Sequence, residues 1–308
     1  MAKGKKIASL AGDVSLAGEL TVHRLGFGAM RLTGPGIWGP PRDRNQALAV
    51  LRRAVELGVN FIDTADSYGP AVSEELIAEA LFPYPSDLVV ATKGGWNRPG
   101  PDQWTHDASP AHLRQAVEGS LKRLRVEQLS LYQLHIPDPA VSFDASVETL
   151  AELKNEGKIR VIGLSNVTQE HIERARKIVP IASVQNRYSF ADREWDYLVD
   201  YCERNQIAFI PWYPLGAGGV AGEVLNRIAQ AHDAIPLQIA LAWLLRRSPI
   251  MLPIPGTSSV QHLEQNLGAA ALQLTDREYE QLAAAAEPAR RRGVTATAAR
   301  GADRRRPV

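Results

Sequence analysis

The chain has 308 residues, of which 45% are hydrophobic, so it is long enough for one large α/β barrel or two medium domains. A formal net charge of +1 gives no reason to expect nucleic acid or a membrane surface as a partner. The single cysteine, Cys202, excludes an intramolecular disulfide framework and a cysteine-rich zinc cluster. No apolar run is long enough to span a bilayer, and no long apolar stretch follows the basic N-terminus, so we predict a soluble, cytoplasmic protein.

Short apolar runs alternate with amphipathic segments, which is the pattern of parallel strands joined by helices. The predicted strands cover residues 26–30, 60–65, 88–93, 129–135, 159–165, 183–188, 208–214 and 250–255. The predicted helices cover residues 44–57, 73–81, a stretch that opens at Ser109 and Pro110, 144–156, 168–178, 195–205, 222–232, 236–247, 260–269 and a last stretch that opens with the capping box 275–278. Eight strand–helix units favour a closed, single-domain (β/α)8 TIM barrel over an open sheet.

The two ends of the chain depart from this pattern. Residues 7–22 are predicted to form a hairpin over the N-terminal face of the barrel, and the barrel domain as a whole is predicted to cover residues 1–287. Residues 288–308 are rich in arginine, alanine and glycine, so we predict a basic, flexible tail. No nucleic-acid partner is expected for it.

Three successive strands end in groups capable of acid–base chemistry. Asp63 and Tyr68 follow the second strand, Lys93 ends the third, and His135 ends the fourth. In a parallel α/β barrel these ends converge on one face. Each residue alone has an ordinary structural explanation, such as a capping carboxylate or a satisfied core histidine, but the joint pattern favours an active site.

The residue types suggest a division of roles. A phenol is a poor proton donor at neutral pH, and a neighbouring ammonium lowers its pKa. We therefore predict that Tyr68 is a general acid, that Lys93 lowers the pKa of Tyr68, and that Asp63 keeps Lys93 charged. His135 is predicted to orient a substrate carbonyl oxygen.

The chain resembles the aldo-keto reductases over nearly its whole length. The resembling segments are 58–69 (GVNFIDTADSYG), 163–166 (GLSN), 184–186 (VQN), 211–216 (PWYPLG), 252–257 (LPIPGT) and 264–266 (EQN). The segments 34–41 and 255–259 are most similar to bacterial members that resemble pyridoxal reductases. The resemblance implies a metal-free, NADPH-dependent reduction of aldehydes and ketones by a tetrad of Asp63, Tyr68, Lys93 and His135.

The resemblance also implies a set of cofactor contacts at the strand ends. These are Gly28, Ala29, Met30, Asp63, Ser165, Asn166, Gln185, Trp212, Tyr213, Pro214, Leu215, Gly216, Gly256, Thr257, Ser258, Ser259, His262, Gln265 and Asn266. Short polar side chains can hold a carboxamide and Trp212 can stack on the nicotinamide, although turn formation and rim packing would also explain them. Tyr213 departs from the small hydroxyl residue common in the family, and residues 216–219 form a Gly-rich loop whose amides can cover a pyrophosphate.

The adenosine end also departs from the family pattern. No Lys or Arg lies between Gly256 and Asn266, and His262 stands where many relatives have Arg. Hydroxyls and the amides of a helix N-terminus can hold a phosphate instead. We therefore predict NADPH as the cofactor, with a modest preference over NADH.

A Rossmann site is not supported. Gly26 and Gly28 begin like its fingerprint, but Arg31 stands where the third glycine belongs and no helix follows. Gly28 is predicted instead to let the first strand approach the cofactor.

The substrate pocket is predicted to contain apolar loop residues at the same face. They are Trp38, Trp96, Pro137 and Tyr188, together with Tyr68 and His135. Such a pocket suits an aromatic or heteroaromatic aldehyde, although the tryptophans can equally serve loop packing.

One further interpretation remains open, a cofactor-binding regulatory or scaffold protein on the same barrel, like the β-subunits of potassium channels, with slow or vestigial chemistry. A metal-dependent hydrolase is not favoured, because the strand ends lack clustered His and carboxylate ligands. The predicted partner is a small carbonyl compound, and the sequence leaves the oligomeric state open.

Overall fold

The computed structural model describes residues 6–216 and 222–285 and has the predicted single-domain (β/α)8 architecture. Its strands are β1 (Asp13–Leu16), β2 (Leu20–His23), β3 (Phe27–Gly28), β4 (Phe61–Asp63), β5 (Val89–Gly94), β6 (Trp96–Gly100), β7 (Gln103–His106), β8 (Leu129–Leu134), β9 (Ile159–Ser165), β10 (Ile181–Gln185) and β11 (Ala208–Phe209). Its helices are α1 (Arg44–Glu56), α2 (Val72–Leu81), α3 (Pro110–Leu124), α4 (Phe143–Asn155), α5 (Gln169–Ala175), α6 (Asp196–Arg204), α7 (Glu223–Ala231), α8 (Pro236–Arg247), α9 (Val260–Gly268) and α10 (Asp276–Ala285). The predicted tail, 288–308, lies outside the described residues.

Local sequence signals set several helix starts. Ser109 caps α3, where its hydroxyl accepts a hydrogen bond from the amide of His112, and Pro110 occupies the first turn. Before α10, the Glu278 carboxylate accepts from the amide of Thr275 at 2.8 Å, and the Thr275 hydroxyl accepts from the amide of Glu278 at 3.3 Å. The predicted capping box is therefore present.

Seven strands form one parallel sheet in the order β3-β4-β5-β8-β9-β10-β11. The predicted eighth strand, residues 250–255, closes the barrel between its two edges. The amide of Phe209 donates to the carbonyl of Ile250 at 2.9 Å, and the amide of Gly26 donates to that of Pro253 at 3.0 Å. This segment forms no regular ladder because Pro253 and Pro255 have no N–H to donate.

Side chains along the strands alternate between the barrel interior and the helical layer. The interior is filled by Phe61, Val89, Ala91, Leu131, Val161, Ala182, Ala208, Ile210, Leu252 and Ile254. Asp63, Lys93 and Gln133 each lie two residues beyond a member of this cluster on the same strand. Because strand side chains alternate with a period of two, these polar groups point into the same interior at its C-terminal end.

The predicted N-terminal hairpin is formed by β1 and β2, which pair antiparallel. Its apolar residues Val14, Leu16 and Val22 join the interior cluster and cover the face opposite the polar groups. The amide of His23 also donates to the side chain of Asn60, just before β4, at 2.7 Å. The hairpin therefore closes this end of the barrel interior with apolar side chains.

Residues 7–11 form a 3₁₀ helix instead of part of the predicted hairpin, and the seventh barrel strand covers Ala208–Phe209 instead of residues 208–214. Two further regions differ from the sequence prediction. Residues 96–106, expected as loops, form the antiparallel hairpin β6–β7. The first barrel strand is shorter than predicted and covers Phe27–Gly28, because a 3₁₀ turn follows at Ala29–Leu32. Both regions lie at the C-terminal face, beside the polar interior groups.

Candidate active site

A buried ion pair forms the base of the site. The Lys93 ammonium lies 2.5 Å from a carboxylate oxygen of Asp63 and also donates to the carbonyl of Thr64 at 2.8 Å. The Lys93 side chain is 0% exposed and that of Asp63 3% exposed. Neighbouring strands β4 and β5 bring these side chains together from positions that face the interior.

Two glutamines complete the hydrogen bonding of the Asp63 carboxylate. Its second carboxylate oxygen accepts hydrogen bonds from Gln133 at 3.0 Å and from Gln185 at 2.9 Å. Gln185 was predicted as a cofactor contact, whereas Gln133 was missed. The signal for Gln133 was available, because it stands two residues before His135 and therefore on the same face of its strand.

Tyr68 lies directly above this pair. Its residue is 7% exposed, and the Lys93 Nζ is 5.2 Å from the centroid of its ring. The amide of Tyr68 donates to Ala65 and its carbonyl accepts from Ser73, so a tight turn fixes the backbone. His135 completes the tetrad, with its ring centroid 5.8 Å from that of Tyr68 and an edge-on orientation. The structure therefore brings all four predicted residues together.

Burial raises the pKa of the Tyr68 hydroxyl above its usual value, and the Lys93 ammonium lowers it only in part. The expectation that the Lys93 ammonium would lower the pKa of Tyr68 overall was therefore wrong, because burial outweighs the ammonium. Burial also acts against the charge of Lys93, but the attraction of Asp63 and Tyr68 outweighs it and raises the Lys93 pKa. At neutral pH the site therefore holds a neutral phenol beside a charged ammonium.

His135 is a neutral imidazole in this environment. Burial, assisted by the Lys93 charge, holds its pKa well below the usual value. Its Nδ1 lies 3.5 Å from the hydroxyl of Ser67, and its carbonyl accepts from the Asn166 amide group at 3.0 Å. A neutral imidazole can donate one hydrogen bond without adding charge to the site.

A second set of titratable groups lies behind β5. Glu74 is fully buried, accepts from Thr92 at 2.5 Å and pairs with Arg123 at 2.6 Å. Burial and the nearby Glu74 raise the pKa of Asp66 to about 8. One carboxylate oxygen of Asp66 is buried and has no hydrogen-bond partner among the described residues. This residue therefore holds a proton under conditions where most carboxylates are ionised.

Polar groups predicted to hold a carboxamide lie next to the tetrad. The Asn166 side chain donates to the Ser165 hydroxyl at 3.0 Å and accepts from the Trp212 indole at 3.1 Å. Asn166 adopts φ +57°, a left-handed conformation that asparagine tolerates better than most residues. This network connects Trp212 to the carbonyl of His135, so the ring is held at the edge of the site.

The segment after Trp212 is partly described. Tyr213 has φ +61°, and its ring lies 5.5 Å from the guanidinium of Arg187. Pro214 is buried, Leu215 is half-buried, and Gly216 donates from its amide to the carbonyl of Tyr213. Residues 217–219 of the predicted Gly-rich loop lie outside the described residues.

A cavity of about 820 Å³ lies at the same face, between the loop after β3 and the start of α9. The predicted contacts Met30, Gly256, Thr257, Ser258 and His262 line it. Two arginines that were not predicted as cofactor contacts, Arg31 and Arg42, also line it. The cavity wall therefore includes two arginine side chains, whereas residues 256–266 include no Lys or Arg.

The remaining adenosine-end predictions occupy the first turns of α9. The Ser259 hydroxyl caps the helix by accepting from the amide of His262 at 3.4 Å. Gln265 is half-buried, its carbonyl accepts from Gln238 at 2.8 Å, and Asn266 is buried. The free first-turn amides therefore lie beside the cavity.

Gly28 and Gly256 lie where two backbones cross. A Cβ on Gly28 would come within 2.7 Å of the carbonyl oxygen of Ile254, and one on Gly256 within 2.6 Å of the carbonyl oxygen of Gly28. The close packing of these two backbone segments therefore requires glycine at both positions, whether or not a cofactor binds there. Ala29, next to Gly28, is buried at the start of the 3₁₀ turn.

Three tryptophans lie at this face, Trp38, Trp96 and Trp104, and we refer to them together as the aromatic wall. The ring of Trp96 contacts the ring of His135 edge-on, with 6.3 Å between their centroids. It also contacts the ring of Trp104, with 5.7 Å between their centroids. The backbone of Trp38 pairs with Gly69, next to Tyr68. Pro137 is half-buried just beyond His135.

The placement of Tyr188 in the substrate pocket was wrong. Its side chain is fully buried in the helical layer, against Phe209 and Trp243, and its hydroxyl donates to Asp196. Tyr188 lies three residues beyond Gln185, so the alternation along the strand places it on the opposite face.

Across residues 6–216 and 222–285, no three His, Cys, Asp or Glu side chains group as a metal site would require. In the same ranges, no helix combines the length and apolar character needed to cross a membrane.

Comparison with known proteins connects this site to a family. A model described as the aldo/keto reductase family matches residues 24–287. An uncharacterised oxidoreductase of Schizosaccharomyces pombe is 49% identical over 277 residues, covering 89% of this chain and 90% of that protein. The pyridoxine 4-dehydrogenase of Escherichia coli is 46% identical over 266 residues, covering 84% and 93%. An aldo-keto reductase structure from Klebsiella pneumoniae in complex with NADPH has a TM-score of 0.78 at 26% identity, covering 91% and 97%.

Proposed function

The chain belongs to the aldo/keto reductase family, and from that premise we propose that it reduces an aromatic aldehyde to the alcohol with Tyr68 as proton donor. Family membership makes it an oxidoreductase of the NAD(P)H-dependent type, with NADPH as the hydride donor. The predictions of family, enzyme class and cofactor are thereby confirmed. The substrate, the roles of the individual residues and the cytoplasmic location remain proposals.

The residues present fit a nicotinamide dinucleotide. Ser165 and Asn166 offer hydroxyl and amide groups beside the tetrad, and Trp212 offers a ring face. The cavity at 256–258 provides room for the adenosine end, with Arg31 and Arg42 on its wall. Both arginines line the cavity, where each could pair with a phosphate of the cofactor.

Bound NADPH supplies the hydride that reduces the carbonyl carbon. Tyr68 then donates its proton to the carbonyl oxygen, and because burial raises its pKa, the hydroxyl is protonated at neutral pH before the reaction. The Lys93 ammonium stabilises the phenolate that Tyr68 becomes, and Asp63 keeps that ammonium charged and in place. The neutral His135 donates a hydrogen bond to the substrate oxygen and orients it.

The observation that carries this proposal is the buried Lys93–Asp63 pair beneath the Tyr68 ring. Burying two charges is unfavourable unless they are paired, and a merely structural pair gains little over apolar packing. Here the ammonium lies beside a buried phenol at the open face of the barrel. The arrangement suits stabilisation of a transient phenolate.

Two observations favour an aromatic substrate. In the wall of Trp38, Trp96 and Trp104, the Trp96 ring contacts that of His135 and the Trp38 backbone pairs with Gly69, next to Tyr68, which suits a flat ring. The name of the Escherichia coli relative indicates that it acts on pyridoxine, a heteroaromatic alcohol. Pyridoxal, an aldehyde of that ring system, is therefore a reasonable first substrate.

The test is a panel of aldehydes with NADPH, monitored by the absorbance of the reduced cofactor. Pyridoxal and benzaldehyde represent aromatic substrates, and propanal represents a small aliphatic one. We expect turnover with a higher kcat/KM for the aromatic aldehydes. NADPH binding without turnover of any aldehyde would refute the proposal and favour the regulatory or scaffold alternative.

A further inference from the structure

Arg98, on β6, joins three segments around the site while only 9% of the residue is exposed. Its Nε donates to the carbonyl of Gln103 at 2.9 Å, within the β6–β7 hairpin. Its Nη1 donates to the carbonyls of Ile37 and Ser67, both at 2.9 Å, and its Nη2 donates to that of Gly36 at 2.8 Å. One guanidinium therefore connects the loop after β3, the turn at Ser67 and the hairpin.

The same guanidinium supports the aromatic wall. Its carbon lies 3.7 Å from the ring centroid of Trp104 and 5.7 Å from that of Trp38. Trp104 in turn contacts Trp96, which contacts His135. A continuous set of contacts thus leads from Arg98 to the catalytic imidazole.

The chemistry of this contact is specific to arginine. Its four hydrogen bonds diverge in the guanidinium plane, and Trp104 stacks on a face of that plane. A lysine ammonium is a compact charge with three donors and no planar face, so it cannot reproduce these contacts. The positive charge also makes the loss of these hydrogen bonds more unfavourable, because a buried guanidinium without its carbonyl acceptors has no partners for its N–H groups.

We propose that Arg98 is a positioning residue that builds the aromatic wall and so sets the preference for flat aromatic aldehydes. This proposal rests on the proposed function for the identity of the reaction. Arg98 binds the carbonyl of Ser67, next to Tyr68, but Tyr68 is also held by its own turn, through hydrogen bonds to Ala65 and from Ser73. Loss of Arg98 therefore loosens the wall more than it displaces the proton donor.

The primary test is Arg98→Lys, compared with Arg24→Lys as a matched control. Arg24 also donates to backbone carbonyls, those of Leu245, Ser248 and Met251, but it lies at the opposite face of the barrel. Arg98→Lys should lower kcat/KM for benzaldehyde by about tenfold or more, mainly through KM, because small displacements of a binding wall have large effects. The value for propanal should change much less, and Arg24→Lys should leave the ratio of the two substrates unchanged.

A second readout does not depend on turnover. Acrylamide quenching of tryptophan fluorescence should increase in Arg98→Lys and remain at the wild-type level in Arg24→Lys. If the wild type reduces no aldehyde, the proposed function fails while this readout still tests the wall. The variant Trp104→Leu keeps the Arg98 guanidinium and its hydrogen bonds to carbonyls. It should shift the ratio of benzaldehyde to propanal kcat/KM in the same direction, and it replaces Arg98→Lys in the test if that variant does not fold.

Three results would overturn the proposal. The first is an unchanged ratio of benzaldehyde to propanal kcat/KM in a folded Arg98→Lys or Trp104→Leu variant. The second is an equal change of that ratio in Arg24→Lys. The third is acrylamide quenching of tryptophan fluorescence that is the same in the folded Arg98→Lys variant as in the wild type.

Discussion

Replacing Lys93 by methionine tests the central ion pair. Methionine keeps most of the apolar volume but removes the ammonium 2.5 Å from Asp63. The carboxylate would then be buried with only the amides of Gln133 and Gln185 as donors. Removing one partner of a buried pair typically costs about 3–5 kcal/mol. Since whole proteins are stable by about 5–15 kcal/mol, the loss should be obvious in urea unfolding of the cofactor-free protein.

A double-mutant cycle distinguishes this pair from general damage. Asp63→Asn should cost a similar amount because it leaves a buried ammonium, whereas the double variant removes both charges. We expect the double variant to lose about 1–3 kcal/mol less than the sum of the single variants. Additive losses would show that the two side chains do not stabilise each other.

The pH dependence gives an independent check. The pKa of Lys93 is raised in the folded chain, despite the opposing effect of burial, because Asp63 and Tyr68 favour the charged form. The stabilisation that the Lys93 charge contributes is therefore fully present below the pKa of an unfolded lysine, about 10.4. It is lost as the pH rises through the higher pKa that Lys93 has in the folded chain. Through Lys93, the difference between wild type and Lys93→Met should not shrink near neutral pH and should shrink only in strong base. A difference that shrinks already at neutral pH would refute the reasoning.

Three further predictions concern the phenol, the cofactor and Asp66. Tyr68→Phe should lower kcat by about 10²–10⁴-fold because it removes the proton donor, yet fluorescence titration should give an unchanged NADPH Kd; full activity would exclude Tyr68 as the acid. NADPH should bind more tightly than NADH, and Arg31→Ala with Arg42→Ala should reduce that preference in the same titration; equal wild-type affinities would contradict this. Because burial raises the pKa of Asp66 to about 8, its carboxyl keeps a proton in the folded chain that the unfolded chain loses above about 3.9. Stability should therefore fall between about pH 4 and pH 8 through this group. Asp66→Asn should flatten that slope in thermal unfolding, and an unchanged slope would contradict the assignment.

The sequence determined the barrel and the tetrad because both depend on local patterns. Eight apolar runs separated by helical periodicity indicate parallel strands, and the carboxyl ends of such strands share one face. Asp63, Lys93 and His135 follow directly from this rule, and Tyr68 lies close enough in sequence to accompany Asp63. Capping signals at Ser109 and Thr275 likewise act over three or four residues.

Only the tertiary structure decided what surrounds the tetrad. Arg98 meets carbonyls that lie 31 to 62 positions away in sequence, and Arg31 shares a cavity with His262. No local pattern encodes such contacts, because barrel closure brings distant loops together. The net pKa of Tyr68 was misjudged for the same reason: the ammonium is visible in the sequence, but the extent of burial that opposes it depends on the whole fold.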